Sequence, residues 1–169
     1  MTRHVSTTRR SGAPVESAGP GFETTLLVRD TCLCLHAQRA ARALARRFDL
    51  ALKPVGLTSG QFSLLMSLNR PEPPRMGDVA ALLAMDRTTL TANLKPLERH
   101  GLVGTSADPA DRRARLLRLT PAGRAVLGRA VPVWRHVHAQ IEAGLSAPDH
   151  LRAELVLLSG SGDPQEMPG

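Results

Sequence analysis

The stretch Glu98-Arg99-His100-Gly101-Leu102-Val103-Gly104-Thr105-Ser106-Ala107-Asp108-Pro109-Ala110-Asp111-Arg112-Arg113-Ala114-Arg115-Leu116-Leu117-Arg118-Leu119-Thr120-Pro121-Ala122-Gly123 decides the fold. Gly101 reads as a helix stop, because glycine takes the left-handed conformation at a helix end without a Cβ penalty. Leu102 to Thr105 and Arg113 to Thr120 then read as two strands, and Ser106 to Asp111, with its Asp and Pro, as the turn between them. The hairpin's return strand is rich in arginine. Thr120 ahead of Pro121 places a capping hydroxyl before a proline at the first helical position, so a new helix starts there.

Upstream of the hairpin, Asp86 is a cap for a helix in which Leu90, Leu94 and Leu97 share one face. Pro96 lies inside that helix, removes one backbone bond and crowds the carbonyl of Ala92, so a bend is expected there. A short apolar helix precedes it from Met76 to Ala84, with Ala80 and Ala84 as the small residues where the two helices cross. Arg70-Pro71-Glu72-Pro73-Pro74 cannot be helical. Thr58-Ser59-Gly60-Gln61 resembles a capping box and opens a helix through Phe62, Leu65 and Leu68. Before it, Leu33, Ala37, Ala40, Leu44, Phe48 and Leu52 recur every three or four residues, which predicts one long amphipathic helix from Thr31 to Leu52, ended by Pro54 and Gly56.

Downstream, a long helix is expected through Ala125, Leu127, Val131, Trp134, Val137 and Ile141, kinked at Pro132. Ser146-Ala147-Pro148-Asp149 opens the last helix, with Leu151, Leu155 and Leu158 facing inward. The chain is thus mainly α, in the order ααααββαα. Residues 1–22, basic through Arg3, Arg9 and Arg10, and residues 159–169 lack periodicity and read as disordered tails around a folded domain over 23–158.

Composition narrows the partners. Of 169 residues, 42% are hydrophobic, enough for a real core and against a disordered chain. A net charge of +7 points to a polyanion. Aromatic residues make up 2% and tyrosine is absent, which leaves no platform for stacking single-stranded bases, so duplex DNA fits better. Two cysteines and no cationic start leading into an apolar segment point to the cytoplasm. Apolar stretches are broken well before the roughly 18 residues a membrane span needs. Gly101 and Gly104 form no phosphate cradle, His136 and His138 diverge on their helix, and no nucleophile motif stands near them. An enzyme is not expected, nor a cofactor.

Two short helices joined by a tight turn and followed by an Arg-rich hairpin make a winged helix-turn-helix. One helix enters the major groove and the hairpin reaches an adjacent groove. With Leu90, Leu94 and Leu97 turned inward, Thr88, Ala92, Lys95 and Arg99 lie on the opposite side of the helix. Lys95 and Arg99 suit phosphates, and Arg87 suits a phosphate or a guanine. The methyls of Thr88, Thr89, Thr91 and Ala92 suit thymine methyl groups. Arg112 and Arg113 at the hairpin tip are the minor-groove candidates, with Arg115 sharing the face of Arg113. Asp111 either orients an arginine through a charge-assisted hydrogen bond or is a simple turn residue. A solvated polar face is the alternative for the helix; the basic charge and the adjoining hairpin favour DNA.

Leu57-Thr58-Ser59-Gly60-Gln61-Phe62, Met85-Asp86-Arg87-Thr88-Thr89-Leu90-Thr91, Leu97-Glu98-Arg99-His100-Gly101-Leu102-Val103, Asp111-Arg112-Arg113 and Leu119-Thr120-Pro121-Ala122-Gly123 together resemble the MarR family of transcription regulators, over about residues 30–158. The resemblance implies a homodimer, with dimerisation helices over 30–53 and 121–158 and a DNA-binding lobe over 57–120. It implies two winged domains on a pseudo-palindrome, and usually repression relieved by a small aromatic or other effector. It gives Arg113 the wing contact. Ala92 departs from the family, where a larger, often basic residue is expected.

Cys32-Leu33-Cys34-Leu35-His36 is the most unusual local feature. Cys32 and His36, four apart, share a helix face as half of a metal or metalloid site, while Cys34 points elsewhere. Burial as small hydrophobes is the commoner role of free cysteines, and a redox or metalloid switch or a zinc site is the alternative. Three functions therefore stand: a ligand-responsive repressor, a thiol or metalloid sensor on the same scaffold, and a helical interaction protein without DNA binding. Trp134 and Phe48 line either a ligand pocket or the core and dimer interface.

Overall fold

The computed structural model describes residues 19–111 and 113–160. The tail assignments for 1–18 and 161–169, and the site assignment for Arg112, lie outside the described residues. The elements are α1 (Phe22–Thr31), α2 (Leu33–Leu52), a 3-10 turn (Lys53–Val55), α3 (Ser59–Ser67), α4 (Met76–Leu82), α5 (Arg87–Arg99), β1 (Val103–Ala107), β2 (Arg115–Leu119), α6 (Pro121–Glu142) and α7 (Pro148–Leu158). Two compact units divide the described chain, one ending at Ala40 and one starting at Ala41.

One helix more is present than the expected ααααββαα. Phe22, placed in a tail by its sequence, opens α1, and the helix expected from Thr31 starts at Leu33 instead. Cys32 is the break: its backbone is extended (φ −72°, ψ 105°) and its N–H closes α1 on the carbonyl of Val28. No Pro or Gly marks this break, so periodicity alone ran α2 back through it.

The caps expected in the second unit are formed. Thr58 Oγ1 accepts from the Gln61 N–H and the Gln61 side chain accepts from the Thr58 N–H, a reciprocal capping box at α3. Gly56 and Gly101 are both left-handed, with φ of 78° and 68°. Antiparallel β1 and β2 pair Val103 with Leu119 and Ala107 with Arg115. The Pro74-Arg75 segment lies along β2, with a bridge from Arg75 to Leu116 and the Leu117 N–H donating to the Pro74 carbonyl. Leu52, Leu64, Leu65, Val79, Leu90, Leu94, Leu97 and Leu117 are fully buried and join α2's end, the helix-turn-helix and the hairpin in one core. Helices α5 and α6 each run through their internal proline, Pro96 and Pro132.

Three expectations are corrected. α4 ends at Leu82, and Ala84 is exposed with φ 49°, so it is the left-handed residue of the turn and no helix-crossing contact. Leu151, Leu155 and Leu158 do not face this chain's core: α7 has no buried residue, and they are 43%, 46% and 62% exposed. In α2 only Leu52 is buried, while Leu33 and Leu44 are exposed. The amphipathic patterns form helices, and among the described residues nothing buries these apolar faces.

Candidate nucleic-acid interface

Helix α5 starts on Asp86, whose carboxylate accepts from the Thr89 hydroxyl at 2.6 Å and the Thr89 N–H at 2.8 Å. Those bonds, the hydroxyl's first and the backbone's second, hold the Asp86 carboxyl below the usual carboxylate range. Thr91 Oγ1 donates to the Arg87 carbonyl. The hydroxyl hydrogens of Thr89 and Thr91 are thus committed to the helix, which leaves their methyls for an apolar contact. Burial of Leu90, Leu94 and Leu97 fixes the rotation of α5, and Arg87, Thr88, Thr89, Thr91, Ala92, Lys95 and Arg99 are all exposed. Lys95 and Arg99 line a shallow hollow with Ala92, Pro96 and Glu98.

The turn of the hairpin is built from its own aspartates. Asp108 is buried; it accepts from the Ala110 N–H at 2.8 Å and from Arg75 Nε at 2.8 Å. The Ala110 N–H chiefly, and the Arg75 guanidinium after it, hold its carboxyl below the usual range. Asp111 accepts from the Arg113 N–H at 3.0 Å, and its carbonyl accepts from the Ala114 N–H at 2.8 Å. The Asp111 carboxylate thus makes a turn contact, while Arg112 beside it lies outside the described residues. Arg75 is the residue that sequence reasoning missed. The signal was Asp108 itself, an acid in an Arg-rich hairpin whose partner comes from the Pro73-Pro74-Arg75 segment 33 residues earlier.

Arg87 from α5 and Arg113 and Arg115 from the hairpin meet in one cleft of about 390 Å³, with Arg75, Asp78 and Asp111 on its walls. The Arg87 guanidinium lies beside Gly77, its Nη2 3.8 Å from where a Cβ would stand, an ordinary contact distance. The cleft is concave, strongly basic and continuous with the element whose exposed face carries the threonines, which is the arrangement that takes a phosphate backbone.

The cysteines are not assembled with His36. The His36 ring Nδ1 donates to the Cys32 carbonyl at 2.9 Å, while Cys32 Sγ accepts from the Leu35 N–H at 3.5 Å. Cys34 Sγ accepts from Gln38 Nε2 at 3.2 Å. Cys32 is half-buried and Cys34 exposed, so neither is packed as a core hydrophobe. Among the described residues no group of three His, Cys, Asp or Glu side chains is placed to hold a metal. Trp134 stacks on Phe62, with centroids 6.1 Å apart and planes at 19°. Both line an apolar pocket of about 500 Å³ with Met66, Leu82, Leu83 and Val131, and Ser63, Ser67 and Arg135 supply its polar groups. Phe48 is not among its walls and packs on the core.

The sequence profile of the MarR family matches residues 57–114, the helix-turn-helix through the hairpin. The transcriptional repressor NicR of Pseudomonas putida is 32% identical over 113 residues, which cover 67% of this chain and 71% of NicR. The chain belongs to the MarR family. This MarR-family protein is also 35% identical over 91 residues to the transcriptional activatory protein BadR of Rhodopseudomonas palustris, a match spanning about half of each, 52%. Its fold superposes on that of the Mycobacterium tuberculosis regulator MosR in complex with DNA, with a TM-score of 0.72, 38% identity, and coverage of 80% of this chain and 99% of MosR. As a member of the family it is a DNA-binding transcriptional regulator and not an enzyme. None of its described helices is long and apolar enough to cross a membrane.

Proposed function

We propose that the protein is a homodimeric cytoplasmic repressor that binds a pseudo-palindromic operator and leaves it when a small ligand binds. The observation that carries the DNA half is the cleft in which Arg87, Arg113 and Arg115 converge beside the exposed face of α5. In this reading Thr88, Thr89, Thr91 and Ala92 meet base edges in the major groove, Lys95 and Arg99 hold phosphates, and Arg113, with Arg112 beside it, enters the minor groove. Fluorescence anisotropy on DNA from the protein's own upstream region tests it. Arg113→Ala is expected to weaken binding at least about tenfold and to lower the slope of log affinity on log salt by about one. Unchanged affinity overturns the wing contact.

Two observations support the remaining parts. Unburied apolar side chains crowd the terminal helices, including Phe22, Leu27 and Leu33 in the first unit and Leu155, Leu157 and Leu158 in the second, and a second copy of the chain is the cover they suit. The Phe62–Trp134 pocket takes an apolar, ring-sized body, and Arg135 offers it a charged group. NicR is named a repressor and BadR an activator; repression is preferred here because the family resemblance carries it.

A thiol sensor on the same scaffold is the second reading, and one observation favours it: Cys32 is the single residue between α1 and α2, and its sulfur caps the first turn of α2. A hydroperoxide would convert one thiolate to a sulfenic acid with loss of an alcohol, and condensation with the second thiol would form the disulfide and release water. Cys32 is extended and Cys34 lies in the first turn of α2, with their sulfurs held by the Leu35 N–H and by Gln38 Nε2, so a Cys32–Cys34 disulfide breaks both contacts. Treatment with cumene hydroperoxide is expected to lower DNA affinity of the native protein and to leave Cys32→Ser/Cys34→Ser unaffected. Equal loss in both sinks the reading.

A further inference from the structure

A second basic cleft, of about 460 Å³, lies between the Arg70–Pro74 loop, the end of β2 and the start of α6. None of the residues given to DNA above lines it. Arg70, Arg118 and Arg124 stand on its walls, and Leu68, Pro71 and Pro121 give it an apolar side. The two basic clefts differ in charge balance. The one facing DNA holds Asp78 and Asp111 among its arginines, whereas this one has no carboxylate in its lining. Among the described residues none of its three guanidiniums forms an ion pair, although Arg29, Arg75 and Arg152 each find one.

The cleft is also held in shape. Arg124 Nη1 donates to the Leu119 carbonyl at 3.1 Å. Arg118 lies across Gly104 on the opposite strand, its Nε 3.5 Å and its Cγ 3.7 Å from where a Cβ would stand. Prolines at 71, 73 and 121 restrict the loop and the helix start, and the Leu117 N–H binds the Pro74 carbonyl. Three like charges around a concavity raise its potential, and an anion relieves that repulsion as it binds. Guanidinium forks match the oxygens of phosphate or carboxylate, but one carboxylate occupies a single fork, while a phosphate monoester offers three terminal oxygens and close to two charges.

We propose that this cleft binds a small organic phosphate, with its dianion on Arg70, Arg118 and Arg124 and its apolar part against Leu68, Pro71 and Pro121. The site is independent of the repressor reading. Its loop runs directly into Arg75, the residue that anchors Asp108, so an occupant would bear on the helix-turn-helix and wing from the side opposite in sequence to the recognition helix.

Calorimetric titration of phenyl phosphate into the full-length protein tests this, with inorganic phosphate and benzoate as parallel probes. One saturable site per chain is expected, with phenyl phosphate tighter than either parallel probe. Arg70→Gln and Arg118→Gln are each expected to weaken it about tenfold, the loss of one charge-assisted contact, while Arg113→Gln leaves it unchanged. Arg70 is exposed on a loop, so its variant reports even if the strand variant fails to fold. Absence of a saturable site, equal binding by Arg70→Gln, or loss in Arg113→Gln overturns the proposal. Benzoate binding as tightly as phenyl phosphate overturns the assignment to a phosphate.

Discussion

Gly123 shows how much one missing methyl decides. A Cβ there would stand 2.1 Å from the Leu102 carbonyl oxygen, backbone that has no room to yield. Thr120 explains why the approach is so close: its N–H donates to that same carbonyl, its hydroxyl donates to the Gly101 carbonyl at 2.6 Å, and it accepts from the Gly123 N–H at 3.0 Å. The Leu119-Thr120-Pro121-Ala122-Gly123 motif is therefore a weld between the start of α6 and the entry to β1. Gly123→Ala is expected to cost about 3 kcal/mol, the loss that overpacking against fixed atoms brings, and chemical denaturation would read it directly. A variant as stable as the native protein would mean that α6 can shift freely. The capping roles of Thr58, Asp86 and Thr120 were legible because a cap is a local bond between residues three apart. Ala84 was not: nothing in an alanine announces a φ of 49°, which the packed ends of α4 and α5 impose.

The hairpin and α5 each depend on an aspartate that must stay ionised. Asp108 is held by the Ala110 N–H and then Arg75, and Asp86 by the Thr89 hydroxyl and then its N–H, and both carboxyls lie below their ordinary range. A carboxyl with a lowered folded pKa contributes stability that is full above the unfolded value of about 4 and disappears as pH falls through the folded value. The native protein is expected to lose stability on acidification below about pH 4. Asp108→Asn should be less stable at neutral pH and show a shallower acid limb, measured as the denaturation midpoint across pH. An unaltered acid limb would remove Asp108 from the account. The hairpin followed from Gly101, the turn cluster and Thr120, although Ser106 and Ala107, read as turn, extend β1. The bond that ties the wing to the segment before α4 did not follow. It joins Arg75 to Asp108 across 33 residues, and no local pattern encodes such a pair. The break at Cys32 escaped for the opposite reason: α1 and α2 are both helical around it, and a single extended residue leaves the periodicity almost intact.

Charge and apolar surface together set what the whole chain needs. The chain carries +7 and a basic cleft beside α5, yet a single winged lobe makes few phosphate contacts. Affinity for an operator gains from a second lobe fixed at one helical turn's spacing, and the terminal helices offer the surface for it. On α7, Leu155 is 46% exposed and Leu158 62%, so a charge placed there meets water in the lone chain and an apolar partner only in a dimer. The sequence pattern reads these leucines as a buried face, and among the described residues that face is open; a second copy of the chain is the proposed cover. Leu155→Asp combined with Leu158→Asp is therefore expected to keep the helical far-UV spectrum, to move the sedimentation behaviour from two chains to one, and to weaken operator binding at least about a hundredfold, as the avidity of two linked half-sites is lost. Binding that survives with the protein sedimenting as a single chain would show that one wing and one recognition helix suffice. A variant still sedimenting as two chains would place the dimer contact elsewhere than α7.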